Sequence, residues 1–255
     1  MARSTSGESV LERVVRIFEA FDTETPSITV TELARRAGLP PATASRLVGE
    51  LVGYGWLRRD ADRRVRIGVR MWELAVRASP TLGLREAAMP YMEDLHAVVG
   101  HHVQLGVLHH REVLYVDRLS APGAVRNVSR FGGRMPLHAT SLGLVLLAHG
   151  PIELQESILA GPLRAFTERT PSDPRTLRVL LGEIRHTGYA YCDGFIDDLS
   201  TAVAAPLRGR GDHVVAALSV IVPRDGSARS TLPALLAAAR GISRTLQSPG
   251  FTATG

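Results

Sequence analysis

The sequence predicts an α+β protein in which a small N-terminal domain precedes a larger one. In the first part of the chain, apolar residues recur at helical spacing and are followed by a short arginine-rich hairpin. From His101 onward, segments of alternating apolar and polar residues are interspersed with helical segments, which is typical of a sheet with helices packed on it. The 255 residues are 45% hydrophobic, which is enough for a core in each domain.

Two helices are expected at the start of the N-terminal domain. The first runs from about Glu8 to Phe21, where apolar residues repeat at helical spacing. The second begins at Thr29, because this threonine precedes Glu32 by three residues as in a capping box. It ends at Gly38, since glycine suits the left-handed position that follows a helix.

The segment "LPPATASRLVGEL", residues 39–51, predicts a third helix with two different faces. Its core face consists of Ala44, Leu47, Val48 and Leu51. The opposite face carries small residues, short hydroxyl groups and one guanidinium group, at Ala42, Thr43, Ser45 and Arg46. Such a face fits the major groove of DNA, although an ordinary amphipathic helix with a solvated face is the alternative for this segment alone.

Two short β-type runs follow in "WLRRDADRRVRIG". Between positions 58 and 70, six arginines accompany two aspartates, so most of the formal net charge of +5 lies in this short segment, which includes the hairpin. Three helices, a tight glycine turn and a basic hairpin, in this order, predict a winged helix-turn-helix over residues 1–68 that binds double-stranded DNA. We expect DNA contacts from Thr31, Ala42, Thr43, Ser45 and Arg46, and contacts to the DNA backbone or minor groove from Arg58, Arg59, Arg63 and Arg64.

Residues 69–83 are expected to form a linker helix and dimerisation element. The segment "VRMWELAVRASP" predicts a helix that ends near Pro80, and a longer helix opens near Leu84. The apolar side chains of the linker exceed what one small domain can bury; they are Met71, Trp72, Leu74 and Ala75. We therefore expect them to pack against a second copy of the chain, in a homodimer or homotetramer.

Residues 84–249 are expected to form the larger domain, and residues 250–255 a disordered tail. Strands are predicted at "HHVQLGVL", "EVLYVDRLS", "AVRNVSR", "YAYC", "TAVAAPLRG" and "HVVAALSVIVP". Helices are predicted at Leu137–His149, Ile152–Ala160 and Pro174–Thr187, and a last helix carries Leu235, Ala239, Ile242 and Leu246.

Several classes of protein are disfavoured by the composition. The sequence has no run of about eighteen uncharged apolar residues and no secretory signal, so we expect a cytoplasmic protein without a membrane span. The histidine pairs at 101–102 and 109–110 occupy adjacent strand positions that point to opposite faces, and with one cysteine in the chain no metal site is predicted. Neither a nucleophile elbow nor a phosphate-binding loop occurs, so no enzymatic activity and no cofactor are expected.

Three stretches resemble the isocitrate lyase regulator (IclR-type) family of bacterial transcription factors. They are "LARRAGLPPATASRLVGELVGYGWLRRD", "GRMPLHATSLG" and the pair "GYAYCDG" with "TAVAAPLRGRGDHVVAALSVIVP". The resemblance implies a winged helix-turn-helix domain, a linker helix and a C-terminal GAF-like effector-binding domain, in which helices flank a mixed or antiparallel sheet. It also implies dimers or tetramers that regulate, for instance repress, a catabolic operon in response to a small organic acid.

An effector pocket is expected in the C-terminal domain. Alternate residues of two strands would form its floor, and the N-terminus of the helix at residues 138–147 would face an anion with its free backbone N–H groups. The expected pocket residues are Arg134, Leu137, His138, Ser141, Cys192, Asp193, Ala202, Ala204, Ser219 and Ile221. For His138, a structural role in holding a loop is an equal alternative.

The sequence departs from the family pattern near this pocket. Leu144 stands where many members have lysine, and Ala202 stands where several have cysteine. The usual acidic pair after the "GYA" strand is displaced within Gly194–Leu199. The alanine makes the pocket floor more apolar, which favours a larger or partly aromatic acid. A ligand-independent repressor, whose C-terminal domain serves only oligomerisation, is the alternative.

Overall fold

The structure is a computed structural model, and it describes residues 8–22, 25–78, 80–125, 127–129 and 131–249. The expected tail at 250–255 lies outside these residues. Contacts divide the chain into two compact units, and the boundary falls between positions 79 and 80.

The first unit contains the three predicted helices: α1 (Val10–Glu19), α2 (Val30–Arg36) and α3 (Pro41–Gly53). A capping box starts α1, because the Ser9 hydroxyl accepts a hydrogen bond from the Glu12 backbone N–H while the Glu12 carboxylate accepts one from the Ser9 backbone. Thr29 caps α2 in the predicted position, and Gly38 follows it with φ of +61°. The local signals in the sequence therefore set these helix ends to within two residues.

The core face of α3 is the predicted one. Ala44, Leu47, Val48 and Leu51 are buried there against α1 and α2. The hairpin also forms, from the antiparallel strands β1 (Leu57–Arg59) and β2 (Val65–Ile67). One residue of each strand is buried in the same core, so the hairpin is fixed to the three helices as a wing. Helix α4 (Val69–Ala78) follows it.

The second unit contains five α-helices and six strands in its described part. These are α5 (Pro80–Val99), β3 (His102–His109), β4 (Glu112–Leu119), β5 (Arg134–Pro136), α6 (Ser141–Ala148), α7 (Ile152–Leu159), α8 (Pro174–Thr187), β6 (Ala190–Asp193), β7 (Ser200–Arg208), β8 (Val214–Pro223) and α9 (Ala228–Gln247). Two predicted helix starts and one predicted strand were wrong. Helix α5 begins at Pro80, α6 begins only at Ser141, and the third strand is β5, since the described residues of "AVRNVSR" form no strand.

The six strands form one antiparallel sheet in the order β5-β4-β3-β8-β7-β6. Side chains alternate between its two faces, so each face has its own core. On β8, Leu218 and Val220 pack under α5 and α9, while Ala217 lies under α6 and α8. The C-terminal domain is thus an α+β sandwich of helices around a central sheet.

Helix α6 is buried on every side, and all eight of its residues are inaccessible or nearly so. Such a helix must lie very close to the sheet. Gly106 of β3 permits this approach, because a Cβ atom there would stand 2.9 Å from the Leu142 side chain. At the start of α6, the Thr140 hydroxyl accepts a hydrogen bond from the Gly143 N–H at 3.1 Å. A Cβ on Gly143 would come within 2.4 Å of the Leu137 carbonyl oxygen.

We therefore predict that Gly143→Ala lowers the free energy of unfolding of the second unit by about 1–3 kcal/mol, because the tight turn into α6 must open. Gly182→Ala is the matched control. It lies inside α8, its added Cβ would meet only an arginine side chain at 3.9 Å, and it should raise stability by about 1 kcal/mol. Urea unfolding followed by circular dichroism measures both, and equal effects would contradict the proposed role of the turn.

Candidate DNA-binding surface and effector pocket

The outer face of α3 is accessible in the first unit. Ala42, Ser45 and Arg46 are exposed, and Thr43 is half-buried beside them. Pro41 occupies the first position of the helix, and within the described residues no side chain caps it. Backbone N–H groups of the first turn can therefore donate hydrogen bonds to a phosphate oxygen.

Helix α2 presents Thr31 as an exposed residue near its start. Its two arginines are held by Glu32, which lies 2.7 Å from Arg35 Nη2 and 2.7 Å from Arg36 Nε. These hydrogen bonds lower the pKa of Glu32 to about 2. Arg36 also pairs with Asp22 at 3.0 Å, so it fastens α2 to the end of α1.

The wing separates its arginines into two groups. Arg58, Arg59 and Arg63 are exposed, and within the described part of the chain none of their guanidinium groups has a hydrogen-bond partner. Arg64 differs from these three, because its Nη2 donates to the Ser27 carbonyl at 2.6 Å and its Nε to the Ser27 hydroxyl at 3.1 Å. Its side chain holds the wing to the segment that precedes α2, so three of the four predicted wing arginines are available to DNA.

The second unit contains a cavity between the sheet, the start of α6 and the loop after β6. The space between its walls is about 500 Å³, including the part open to solvent. Its apolar lining includes Met135, Phe195, Ile196 and Val128. Its polar lining includes Gln104, Tyr115, Asn127, Ser129, Thr140, Asp197 and Ser200, and among the described residues no arginine or histidine reaches it.

Four of the ten predicted pocket residues line this cavity: Ser141, Cys192, Ala202 and Ile221. The other six have different positions. Leu137 and Ala204 are buried in the core around α6, and Arg134 is exposed on β5. His138 donates from Nε2 to the Arg164 carbonyl at 2.9 Å, which agrees with the alternative expectation that this histidine holds a loop. Asp193 pairs with Arg224 at 2.9 Å, and Ser219 is fully buried.

A directed chain of hydrogen bonds forms one wall. The Ser219 hydroxyl donates to Gln104 Oε1 at 3.4 Å, and Gln104 Nε2 donates to the Ser129 hydroxyl. Ser129 in turn donates from both its hydroxyl, at 2.7 Å, and its backbone N–H, at 3.0 Å, to Asn127 Oδ1. Asn127 Nδ2 is buried and finds no acceptor among the described residues. An unsatisfied donor of this kind costs about 1–3 kcal/mol, so this wall favours a ligand that brings an acceptor.

Uncharged donors occupy the wall at the start of α6. Tyr115 is buried beside Thr140, and burial raises the pKa of its phenol, which therefore stays protonated. Burial likewise raises the pKa of the Cys192 thiol, which excludes a reactive thiolate there. Near α6 an anion would contact hydroxyl groups, backbone N–H groups and the positive end of the helix dipole.

The loop after β6 closes the cavity with Phe195 and Ile196. Two threonine hydroxyls hold it, since Thr167 donates to the Gly194 carbonyl and Thr170 to the Phe195 carbonyl, each at 2.6 Å. Gly194 has a φ of +75°, a conformation that glycine adopts without strain. The segment that departs from the family pattern is therefore a wall of the cavity.

Sequence reasoning missed most of the polar lining. Gln104 could have been found, because a glutamine inside an apolar strand must be paired when buried. Asn127 and Ser129 carry no such signal, since they follow β4 in an irregular segment.

The described residues contain no cluster of three potential metal ligands. His102 in particular uses both ring nitrogens within the fold, with Nε2 donating to the Val125 carbonyl at 2.6 Å and Nδ1 3.0 Å from the Ser120 hydroxyl. In the same residues, the helices are too short or too polar for any of them to cross a membrane.

Comparison with known proteins identifies both parts of the chain. Residues 10–61 match the family model of the IclR helix-turn-helix domain, and residues 77–247 match that of the bacterial transcriptional regulator IclR C-terminal domain. The glycerol operon regulatory protein of Streptomyces coelicolor is 30% identical over 94% of this chain and 97% of its own. The Pca regulon regulatory protein of Pseudomonas putida is 26% identical, over 92% of this chain and 83% of its own.

Solved structures of related proteins agree with these family matches. The crystal structure of an IclR homologue from Microbacterium hydrocarbonoxydans, complexed with 4-hydroxybenzoate, has a TM-score of 0.89 and 43% identity, and the match covers 93% of this chain and 99% of that one. A regulator from Rhodococcus sp. RHA1 has a TM-score of 0.78 and 28% identity over 92% and 97% of the two chains. The chain therefore belongs to the IclR family, and like its relatives it is a DNA-binding transcriptional regulator and not an enzyme.

Proposed function

We propose that this chain regulates a catabolic operon by binding a near-palindromic operator as a dimer or tetramer, and that a small aromatic carboxylic acid controls this binding. The observation that carries the proposal is the cavity of the second unit. It combines apolar walls with hydroxyl and amide groups at two places, which suits a flat apolar ring with polar substituents.

The contacts to DNA divide between two surfaces. In this proposal Arg46 reads base edges in the major groove, with Thr31, Ala42, Thr43 and Ser45 close to the DNA around it. Arg58, Arg59 and Arg63 of the wing neutralise phosphates or enter the minor groove, and these contacts make binding sensitive to salt. Apart from the half-buried Thr43, these side chains are exposed, which supports their contact with DNA.

The proposed ligand is an aromatic acid of about the size of hydroxybenzoate. Phe195, Met135 and Ile221 offer apolar contacts to a ring, and Ala202 leaves room for it. A carboxylate would accept hydrogen bonds from Ser141 and from backbone N–H groups at the start of α6. The 4-hydroxybenzoate complex of the Microbacterium relative supports an aromatic acid here.

Assembly in this proposal depends on α4. Trp72 and Val69 are each 65% exposed, and Val76, which shares their face of the helix, is 39% exposed. A patch with three large apolar side chains in ten residues is typical of a protein interface, so a second copy would cover it. The near-palindromic operator follows from the twofold symmetry of such a dimer.

Arg46→Ala should weaken operator binding by about 1–3 kcal/mol and relax specificity at one base position. Arg58→Ala should weaken binding to all sequences alike and reduce the salt slope by about 1. Fluorescence anisotropy across a salt series measures both. Arg64→Ala is less informative than the sequence indicated, because its effect would include loss of the Ser27 contacts. If both first variants bind like the wild type, the assigned DNA surface is wrong.

Calorimetric titration of the full chain should detect binding of 4-hydroxybenzoate and benzoate, and weaker binding of aliphatic acids such as pyruvate. Ala202→Phe should abolish it by filling the cavity, whereas Val98→Phe, at an exposed position on α5, should bind as the wild type does. Binding that survives Ala202→Phe would contradict the location. Absence of binding by every acid would favour the ligand-independent repressor.

Light scattering at micromolar concentration should give the mass of a dimer or tetramer, and Trp72→Glu should reduce it because a buried carboxylate opposes the interface. Val179→Glu, on the exposed side of α8, is the matched control and should leave the mass unchanged. A wild-type monomer, with and without DNA, would exclude the proposed assembly.

A further inference from the structure

Helix α3 has two charged residues, and they are paired with each other. Arg46 Nη1 lies 2.6 Å from Glu50 Oε1, one helical turn away. Both side chains are more than half exposed, at 58% and 51%. The helix that faces the DNA therefore carries no net charge, although DNA is a polyanion.

The position of Glu50 is not explained by helix stability. Glu50 lies in the C-terminal half of α3, where the helix dipole disfavours a carboxylate, and no basic residue occupies the last turn. The order of the pair, with the cation before the anion, is the weaker orientation of a helical ion pair. A carboxylate on this face also repels DNA phosphates. The helix dipole, the order of the ion pair and repulsion from DNA thus all disfavour a glutamate at position 50. Its contact with Arg46 is the interaction that favours it.

That contact restricts what Arg46 can do. With Nη1 bound to Glu50, the edge formed by Nε and Nη2 stays available as a two-pronged donor, which matches O6 and N7 of guanine. A guanidinium group that is free to rotate would instead reach phosphates on any sequence. The neighbouring carboxylate disfavours this second mode by charge.

We propose that Glu50 is a positioning residue for specificity, which holds Arg46 to a guanine of the operator and disfavours its contact with phosphate. The inference rests on the proposed role of Arg46 as a base reader. It assigns the affinity of the domain for DNA to the wing arginines, and part of its discrimination between base sequences to the Arg46–Glu50 pair.

The test uses the full chain and duplexes selected by the wild type from a random library. Arg46→Ala identifies the guanine, as the position at which base discrimination is lost. Affinities are then measured for the operator, for the operator changed at that guanine, and for a random duplex. Glu50→Gln should reduce discrimination at the guanine about tenfold. It should also bind the random duplex more tightly, with a salt slope steeper by about 0.9 as one more phosphate is contacted.

Two controls separate positioning from net charge. Glu19→Gln removes the same charge from an exposed position on α1 and should leave discrimination at the guanine unchanged. In an Arg46→Ala background, Glu50→Gln should no longer affect discrimination, because its effect acts through the arginine. Thermal unfolding of Glu50→Gln should match the wild type, since an exposed ion pair contributes little to stability.

The outcomes distinguish this inference from the function on which it rests. If Glu50→Gln keeps full discrimination at the guanine, or changes it equally without Arg46, the positioning role is excluded while base reading by Arg46 stands. If Arg46→Ala itself loses no discrimination at any position, the assignment of Arg46 as base reader fails first.

Discussion

The architecture of the second unit depends on the close approach of helix α6 to the sheet. Gly106, Ala204 and Ala217 form the surface beneath it, and larger side chains there would displace the helix. On the same face, Ala202 lies two residues before Ala204 on β7 and Ile221 lies four residues after Ala217 on β8, and both line the cavity. The packing that buries α6 therefore also places its N-terminal turn beside the cavity. The same contacts between α6 and the sheet stabilise the fold and determine the shape of the site.

The sequence predicted those features of the fold that are local in the chain. Capping at Thr29, the glycine turn at Gly38 and helix α8 at Pro174–Thr187 follow from residues within one or two turns of each other. The start of α6 was predicted four residues too early. Its uniform apolarity has no polar face to show where the helix begins, and the turn at Thr140 and Gly143 is visible only once the close packing is known.

The candidate site was predictable only in part, because its geometry depends on contacts distant in the sequence. Alternation identified the correct strands, but whether Ala202 or Ala204 reaches the cavity depends on how far α6 extends over β7. The role of Arg64 depends likewise on Ser27, 37 positions away, so composition alone could not separate it from Arg58. A count of arginines predicted the charge of the wing, whereas the availability of each guanidinium group required its partner.

A regulator of the proposed kind has a further thermodynamic constraint. A ligand can change operator affinity only by binding one arrangement of the protein better than another, with coupling of about 1–3 kcal/mol in typical cases. This equals the free energy of about one base contact. The acid therefore need not disrupt the DNA surface, because a change at one contact per site is sufficient. By the same linkage, operator DNA must alter the affinity for the acid by the same factor. Binding of the acid in the cavity and binding of DNA at α3 are therefore thermodynamically coupled in such a regulator.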